Sequence, residues 1–152
     1  MSDKDLTKIA FKLGPDALTK SEVETLWATP LGADLFRVES IPFYVNGVAL
    51  GDLVSIDVVD EQKWFRAVEE RGGHSTIRLV MEDGKANGDF LAEWPRFQVL
   101  SCTHQASSDG LYLVDVPNVD KVAEAVAIAI DGERRGLWQY EEAWLATWES
   151  SS

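Results

Sequence analysis

The sequence predicts an α+β protein: a small antiparallel β-sheet or half-barrel at the N-terminus, followed by a ferredoxin-like β-α-β-β-α-β plait. Three observations support this prediction. Five short segments that alternate apolar and polar residues come first, two segments with helical periodicity come later, and the later elements follow the order strand, helix, strand, strand, helix, strand. Gly72-Gly73 separates the two parts, which gives a strand-rich β lobe over residues 1–72 and an α+β lobe over residues 73–152.

The β lobe contains five predicted strands. The alternation of apolar and polar residues places them at residues 5–13, 22–29, 34–38, 53–59 and 64–70. The second segment also fits a helix, but Pro30 and Gly32 cut it short and therefore favour a strand. Between the third and fourth strands, residues 40–52 are apolar and aromatic but carry Asn46-Gly47 and Gly51-Asp52, which favour tight turns.

The α+β lobe contains four predicted strands and two predicted helices. Strands are expected at residues 74–81, 101–106, 111–116 and 137–140, and helices at residues 87–100 and 120–130. Pro95 either kinks the first helix or marks its true first turn. Gly132 is expected to end the second helix. Residues 141–149 fit a helix or a strand, because their aromatic residues fall on one side in either conformation.

Acidic residues dominate the charge of the chain. The sequence has 26 Asp and Glu against 14 Lys and Arg, which gives a formal net charge of -12. Such a chain repels a phosphate backbone, so nucleic acid is not an expected partner. The same charge favours a protein partner with a basic surface, because opposite charges speed the encounter of two proteins.

The cysteine count and the hydropathy pattern indicate the compartment. Cys102 is the single cysteine, which excludes an internal disulfide and a zinc site built on several thiolates. The N-terminal segment lacks the apolar core of a signal peptide, and no apolar run reaches the length needed to cross a bilayer. We therefore expect a cytoplasmic protein without membrane contact.

The candidate catalytic residues do not form a recognisable set. His74-Ser75 offers a base next to a nucleophile, but adjacent residues of a strand point to opposite faces and cannot easily pair. Cys102 and His104 share one face of a strand, yet two ligands are too few for a metal site. The sequence has no glycine-rich phosphate loop and no nucleophile elbow. It therefore predicts a protein that is not an enzyme and that uses no metal or cofactor.

The leading hypothesis is a non-catalytic, acidic protein-binding module, with bacterial toxin immunity as its most concrete form. From residue 109 to residue 152, nine acidic residues stand against three basic ones, a local balance of -6, beside several aromatic residues. Glu141 and Glu142 are expected to attract a basic partner. Trp144 and Trp148 are expected to provide the apolar anchor that holds the complex together.

The alternative hypothesis is a small-molecule sensor or ligand-binding domain with its site at the junction of the two lobes. Binding pockets occur preferentially at such interfaces. In this interpretation Phe43, Tyr44, His74 and Arg78 contact the ligand.

Several motifs, taken together in this order, resemble a known family. They are E-T-L-W-A-T-P at 24–30, I-P-F-Y-V-N-G-V-A-L-G-D at 41–52, G-H-S-T-I-R at 73–78, D-V-P at 115–117 and G-x-W-x-Y-E-E-A at 136–143. Across nearly the whole chain this combination resembles the bacterial domain-of-unknown-function family 4265. The resemblance implies a bacterial, cytoplasmic protein that consists of this one family domain. It brings no activity and no catalytic residues to assign.

Overall fold

A computed structural model describes residues 6–14, 22–85, 87–107 and 110–146 as two β-sheets and two α-helices. The first sheet contains β1 (Thr7–Lys12), β2 (Val23–Gly32), β3 (Leu35–Val38), β4 (Leu53–Val59) and β5 (Gln62–Glu70). The second part contains β6 (Ser75–Met81), α1 (Asn87–Gln98), β7 (Thr103–Ala106), β8 (Leu111–Val116), α2 (Val122–Arg134) and β9 (Trp138–Trp144). Neither helix, within these described ranges, has the length and hydropathy that spanning a membrane requires.

The five N-terminal strands form a closed barrel in sequence order. Each consecutive pair is antiparallel, and an odd number of alternating strands can close only through a parallel pair. That pair is β1 with β5, which meet at Ala10 and Trp64. Inside, apolar side chains fill the barrel, and the rings of Phe11 and Phe65 stack at 4.8 Å. The predicted antiparallel sheet is confirmed, but the half-barrel form is wrong, because closure depends on strands more than fifty residues apart in the sequence.

The second sheet is antiparallel throughout, in the order β7-β8-β6-β9. Both helices pack with one face of this sheet in a core that includes Phe90, Phe97 and Trp138. Pro95 is the ninth of the twelve residues of α1, so it does not mark the first turn. Residues 141–144 belong to β9, which settles the ambiguity there in favour of a strand.

The segment that joins β3 to β4 lies against the other face of the second sheet. Ile41 packs with Leu111 and Leu113 of β8, and Phe43 and Tyr44 add to the same cluster. The barrel is therefore connected to the helix-free face of the sheet through this segment. The junction between the two parts lies inside the protein, and both apolar and polar side chains contribute contacts to it.

Gly132 lies inside α2 and does not end it, contrary to the expectation from the sequence. The helix continues to Arg134, and the side chain of Trp138 lies directly against Gly132. The indole Nε1 of Trp138 donates a hydrogen bond to the carbonyl oxygen of Ala129 at 2.8 Å. Glycine is needed here for close approach, since a Cβ atom would overlap the indole ring.

Replacing Gly132 by Ala should destabilise the protein by about 1–3 kcal/mol, because the added methyl group must displace a fully buried indole ring. Urea unfolding followed by tryptophan fluorescence measures the change. Gly88→Ala in α1 is the matched control, since a Cβ atom there meets nothing within 4 Å and alanine favours the helix. Equal stability of the two variants would contradict this packing.

Candidate functional site

Glu24 of β2 holds the start of the segment that covers the sheet. Its carboxylate accepts hydrogen bonds from the backbone N–H groups of Phe43 at 2.6 Å and of Tyr44 and Val45 at 2.9 Å. Three consecutive N–H groups that converge on one carboxylate form strong, charge-assisted hydrogen bonds. The buried carboxylate thereby fixes the path of the chain at Phe43 and Tyr44, two residues predicted to contact a ligand.

Arg78 of β6 holds the same segment from the opposite side. The residue is 1% exposed, and its guanidinium donates to the carbonyl oxygens of Phe43 and Val45, both at 2.7 Å. It also donates to Asn46 Oδ1 at 2.7 Å and to Glu141 Oε1 at 2.5 Å. Arg78 was predicted to contact a ligand. Its four hydrogen bonds instead go to residues of the chain itself, and they connect β6 to residues 43–46 and to Glu141.

A second network lies beside the first and is centred on Asp52. Its buried carboxylate accepts hydrogen bonds from the N–H groups of Ala49 and Gly72 and from Arg71 Nη1, at 2.9 to 3.0 Å. The guanidinium of Arg71 in turn lies 3.6 Å from the centre of the Trp144 ring. Through this cation–π contact, the end of the barrel sequence is connected to β9.

Gly72 and Gly73 join β5 to β6 and are both required by the local geometry. A Cβ atom on Gly72 would lie 2.5 Å from the carbonyl oxygen of Gly51, so the two backbones approach too closely for any side chain. Gly73 has a φ of 88°, in the left-handed region that favours glycine. The link between the barrel and the second sheet is therefore tight and conformationally restricted.

His74 and Asp115 form a hydrogen-bonded pair at the junction. His74 Nδ1 lies 2.9 Å from both carboxylate oxygens of the buried Asp115. This hydrogen bond raises the pKa of His74 against the opposing effect of burial, and the negative charges of Asp115 and Asp52 add to the increase. Ser75 is turned away from this pair, and its Oγ accepts a hydrogen bond from the N–H of Ala146.

Thr76 lies between Asp115 of β8 and Trp144 of β9, which are its direct partners in the sheet. Side chains of directly opposed residues share one face of a sheet, so these three lie side by side on the helix-free face. Among the described residues, Thr76 Oγ1 and Trp144 Nε1 are buried and have no hydrogen-bond partner. We use the name junction cluster for Asp52, Arg71, His74, Thr76, Asp115 and Trp144.

The predicted partner-binding residues near the C-terminus are mostly engaged within the fold. Trp144 is half-buried beneath Arg71, and Glu141 pairs with Arg78. Glu142 is exposed and accepts a hydrogen bond from the hydroxyl of Tyr140. Trp148 lies outside the described residues.

A groove on the barrel was not predicted from the sequence. It has a volume of about 480 Å³ and is lined by Lys12, Asp57, Val59, Trp64 and Phe65. An adjoining depression of about 390 Å³ shares Lys12 and Trp64. The groove lies where β1 and β5 meet, so it follows the closure of the barrel. Its walls are mainly apolar with a few charged groups, which is the usual character of a binding site.

Large exposed apolar side chains are more numerous in the barrel part of the described chain than in the second part, and one of them, Val59, lines the groove. Val58 is 64% exposed and Val59 is 53% exposed, at the end of β4. Of the eight exposed large hydrophobic side chains in the described ranges, six belong to the β lobe: Leu6, Val23, Trp27, Leu31, Val58 and Val59. The signal in the sequence was Val58-Val59 directly before a turn, because consecutive residues of a strand cannot both face the core.

Cys102 and His104 lack the features of a reactive pair. Burial raises the pKa of the Cys102 thiol to about 12, and burial lowers the pKa of His104. The His104 ring packs edge-on against Trp94 and Phe90, with centroid distances of 4.3 and 5.0 Å. Within the described part of the chain, no three His, Cys, Asp or Glu side chains are grouped as metal ligands would be.

Replacing Arg78 by Met should lower the free energy of unfolding by about 3–5 kcal/mol, because buried carbonyl groups then lose their charged donor. Arg37→Met is the control. Arg37 forms an exposed ion pair with Glu39, which contributes less than about 1 kcal/mol. Chemical denaturation measures both changes, and an Arg78→Met protein as stable as the control would contradict the role given to Arg78.

The raised pKa of His74 predicts a specific pH dependence. Folding favours the protonated form, so the stability that His74 provides is complete below pH 6.5 and is lost as the pH rises through the raised pKa. The difference in unfolding free energy between wild type and His74→Gln should therefore shrink from pH 6 to pH 8. His104→Gln should show the opposite trend, because the pKa of His104 is lowered. The same trend for both variants would contradict the assignment.

Comparisons with known proteins place the chain in a family. The family described as "Domain of unknown function (DUF4265)" matches residues 24–140, which confirms the resemblance seen in the motifs. No curated protein is similar enough to count as a match. A structure described as a "Novel crystal structure of a hypothetical protein from Neisseria gonorrhoeae" is similar with a TM-score of 0.78 and 21% identity, over 93% of this chain and 96% of that chain. This likeness shows a shared fold. Because the family match covers most of the sequence, the chain belongs to the DUF4265 family.

Proposed function

We propose that this chain is a non-catalytic binding protein that recognises a protein partner with a basic surface through the barrel groove. The observation that carries the proposal is the mainly apolar groove beside Trp64 and Phe65, whose lining includes the exposed side chain of Val59. Contiguous exposed apolar surface commonly marks a site of protein interaction. The apolar anchor expected from Trp144 and Trp148 is thereby assigned to the region of Val59 and Trp64.

The charge of the protein supports a basic partner. The net charge of -12 attracts a positively charged surface over long range, which raises the association rate. Asp57 lines the groove, and Asp60 and Glu61 form the turn directly after the exposed valines. These carboxylates are positioned to meet basic side chains that flank an apolar residue of the partner.

The turn between β4 and β5 adds an independent observation. Asp60 and Glu61 both have positive φ values, 52° and 67°, in a region where Asn-Gly is the favoured pair. Each such non-glycine residue costs roughly 1–2 kcal/mol. A strained conformation is often retained because its side chains serve a function. Two carboxylates at this turn fit a role in the encounter with a basic partner.

Toxin immunity is the most concrete form of this proposal, since an acidic inhibitor captures a basic toxin rapidly through electrostatic attraction.

We place the protein in the cytoplasm, in keeping with one free cysteine, Cys102. The lobes are assigned to residues 1–72 and 73–152. The second lobe is interpreted as a ferredoxin-like plait, supported by the strand order β7-β8-β6-β9 and by antiparallel pairing of all neighbours.

A second candidate function is small-molecule sensing at the junction of the lobes. The specific observation in its favour is the pair of buried atoms, Thr76 Oγ1 and Trp144 Nε1, that lack partners in the described part of the protein. A bound molecule would satisfy both. Phe43, Tyr44 and Arg78, which the sequence assigned to this site, would then support the surrounding structure.

The proposed interface predicts two different kinetic effects in a partner complex obtained by affinity capture. Trp64→Ala should raise the dissociation rate by about tenfold or more, because it removes a large aromatic contact from the groove. Asp60→Asn combined with Glu61→Gly should lower the association rate and its salt dependence, and should also stabilise the protein by relieving the turn. Surface plasmon resonance at several salt concentrations measures both rates.

The chain offers a matched control for the turn. Ala33 and Asp34, between β2 and β3, also have positive φ values of 54° and 61°. Ala33→Asn with Asp34→Gly should stabilise the protein while leaving the association rate nearly unchanged. A complex that depends on Glu142 and not on Trp64 would refute the groove as the interface, and binding that is indifferent to salt would refute the electrostatic attraction.

A further inference from the structure

We propose that the junction cluster is a binding site for a small uncharged carbonyl compound, most suitably a primary amide. The starting observation is the burial of two polar atoms, Thr76 Oγ1 and Trp144 Nε1, without a hydrogen-bond partner among the residues that the structure describes. Thr76 is 0% exposed. Leaving a buried donor unsatisfied is unfavourable, so a molecule with an acceptor oxygen would stabilise this region.

The two atoms belong to neighbouring positions on one surface. Thr76 is directly opposite Trp144 on one side and Asp115 on the other, which sets all three side chains on the helix-free face. Arg71 lies over the ring of Trp144, and His74 is hydrogen-bonded to Asp115. Arg71 and His74 therefore contact the two neighbours of Thr76 in the sheet.

Gly51 and Asp52, directly before β4, contact two other residues of the junction cluster. Arg71 is paired with Asp52, and the ring of His74 lies against Gly51, the residue that precedes Asp52. Asp115, Thr76, Trp144, Arg71, Asp52 and His74 are thus linked into a continuous ring of neighbours. A register shift between Thr76 and Ile77 in the pairing with β9 interrupts the regular ladder beside this ring. Such irregularities are common next to functional sites.

The charges of the cluster select an uncharged ligand. Asp52 is paired with Arg71, and Asp115 is paired with His74, so no positive charge is left without a partner to attract an anion. The net charge of -12 further disfavours anions. The unsatisfied groups, a hydroxyl and an indole N–H, are themselves neutral.

The hydrogen-bonding capacity of the cluster selects a ligand that both accepts and donates. The indole of Trp144 can only donate, which requires an acceptor oxygen on the ligand. Thr76 Oγ1 can also accept, and the carboxylate of Asp115 has lone pairs beyond those used by His74. A primary amide offers one acceptor oxygen and two N–H donors in a compact plane, which matches both requirements.

Two residues of the cluster lie at the protein surface. The side chains of Arg71 and His74 are 23% and 26% exposed, whereas Asp52 and Asp115 behind them are buried. Because Thr76 is 0% exposed, a small molecule reaches it only when covering side chains move, and Arg71 and His74 are the partly exposed ones. This site is separate from the barrel groove, so the outcome of its test does not bear on the proposed protein partner.

Acetamide is a direct probe of the site, with acetate as the charged comparison. In ¹H–¹⁵N spectra of the full chain, acetamide should shift the indole N–H signal of Trp144, identified by its loss in Trp144→Phe, in a saturable way. Thr76→Val should weaken this binding by at least tenfold, and Thr76→Ser, which restores the hydroxyl, should recover it. Thr29→Val removes a hydroxyl bonded to Glu39 in the barrel and should leave the titration unchanged.

Three results would overturn the proposal. They are the absence of a saturable shift with acetamide, equal affinity in wild type and Thr76→Val, and tighter binding of acetate than of acetamide. A crystal structure grown with acetamide gives a second measurement that does not depend on the variants. An amide in contact with Thr76 and Trp144 supports the site, whereas ordered water alone at these atoms contradicts it.

Discussion

The buried guanidinium of Arg78 is the interaction on which the arrangement of the two lobes depends. A charged group at 1% exposure requires nearly complete compensation, and three backbone or side-chain oxygens of residues 43–46 provide much of it, together with Glu141. Glu24 satisfies the N–H groups of the same segment. One short segment is thus held between an anion of the barrel and a cation of the sheet.

This constraint explains why the junction is built from polar contacts as well as apolar ones. After residues 43–46 the chain returns to the barrel at Asp52. The carboxylate of Asp52 accepts hydrogen bonds from the N–H groups of Ala49 and Gly72 and from Arg71, and these bonds fix the positions of Arg71 and Gly72. Arg71 then reaches Trp144 on the edge strand β9. The network occupies most of the residues that the sequence had assigned to binding. The outer surface of the barrel, by contrast, retains exposed apolar side chains that the fold itself does not use.

Local sequence patterns predicted the order of the strands and helices, although residues 141–144 of β9 were left open between a helix and a strand. Alternation gave β4 and β5, and helical periodicity gave α1 and α2, because those signals depend on neighbours within a few residues. Gly132 was misinterpreted, since its role depends on Trp138 folding back onto the helix. Closure of the barrel was also missed, because the pairing of Ala10 with Trp64 leaves no local signature.

The site was harder to predict than the fold for a related reason. His74 was identified as a junction residue, but its partner Asp115 lies 41 residues away and was not connected to it. Thr76 lies two positions after His74 on the same face. The sequence pattern drew attention to the adjacent Ser75 as a nucleophile and not to Thr76. Arg78 looked like a ligand contact because arginine often binds ligands, and only the folded structure reveals four hydrogen bonds within the chain.

The central claim is that the barrel surface around Trp64, and not the edge strand β9, meets a protein partner. Hydrogen–deuterium exchange of the chain with and without its captured partner tests this claim most directly. We expect the partner to protect the β4–β5 hairpin over residues 57–65 and to leave β9 unchanged. Protection confined to β9, with no change in the hairpin, would contradict it.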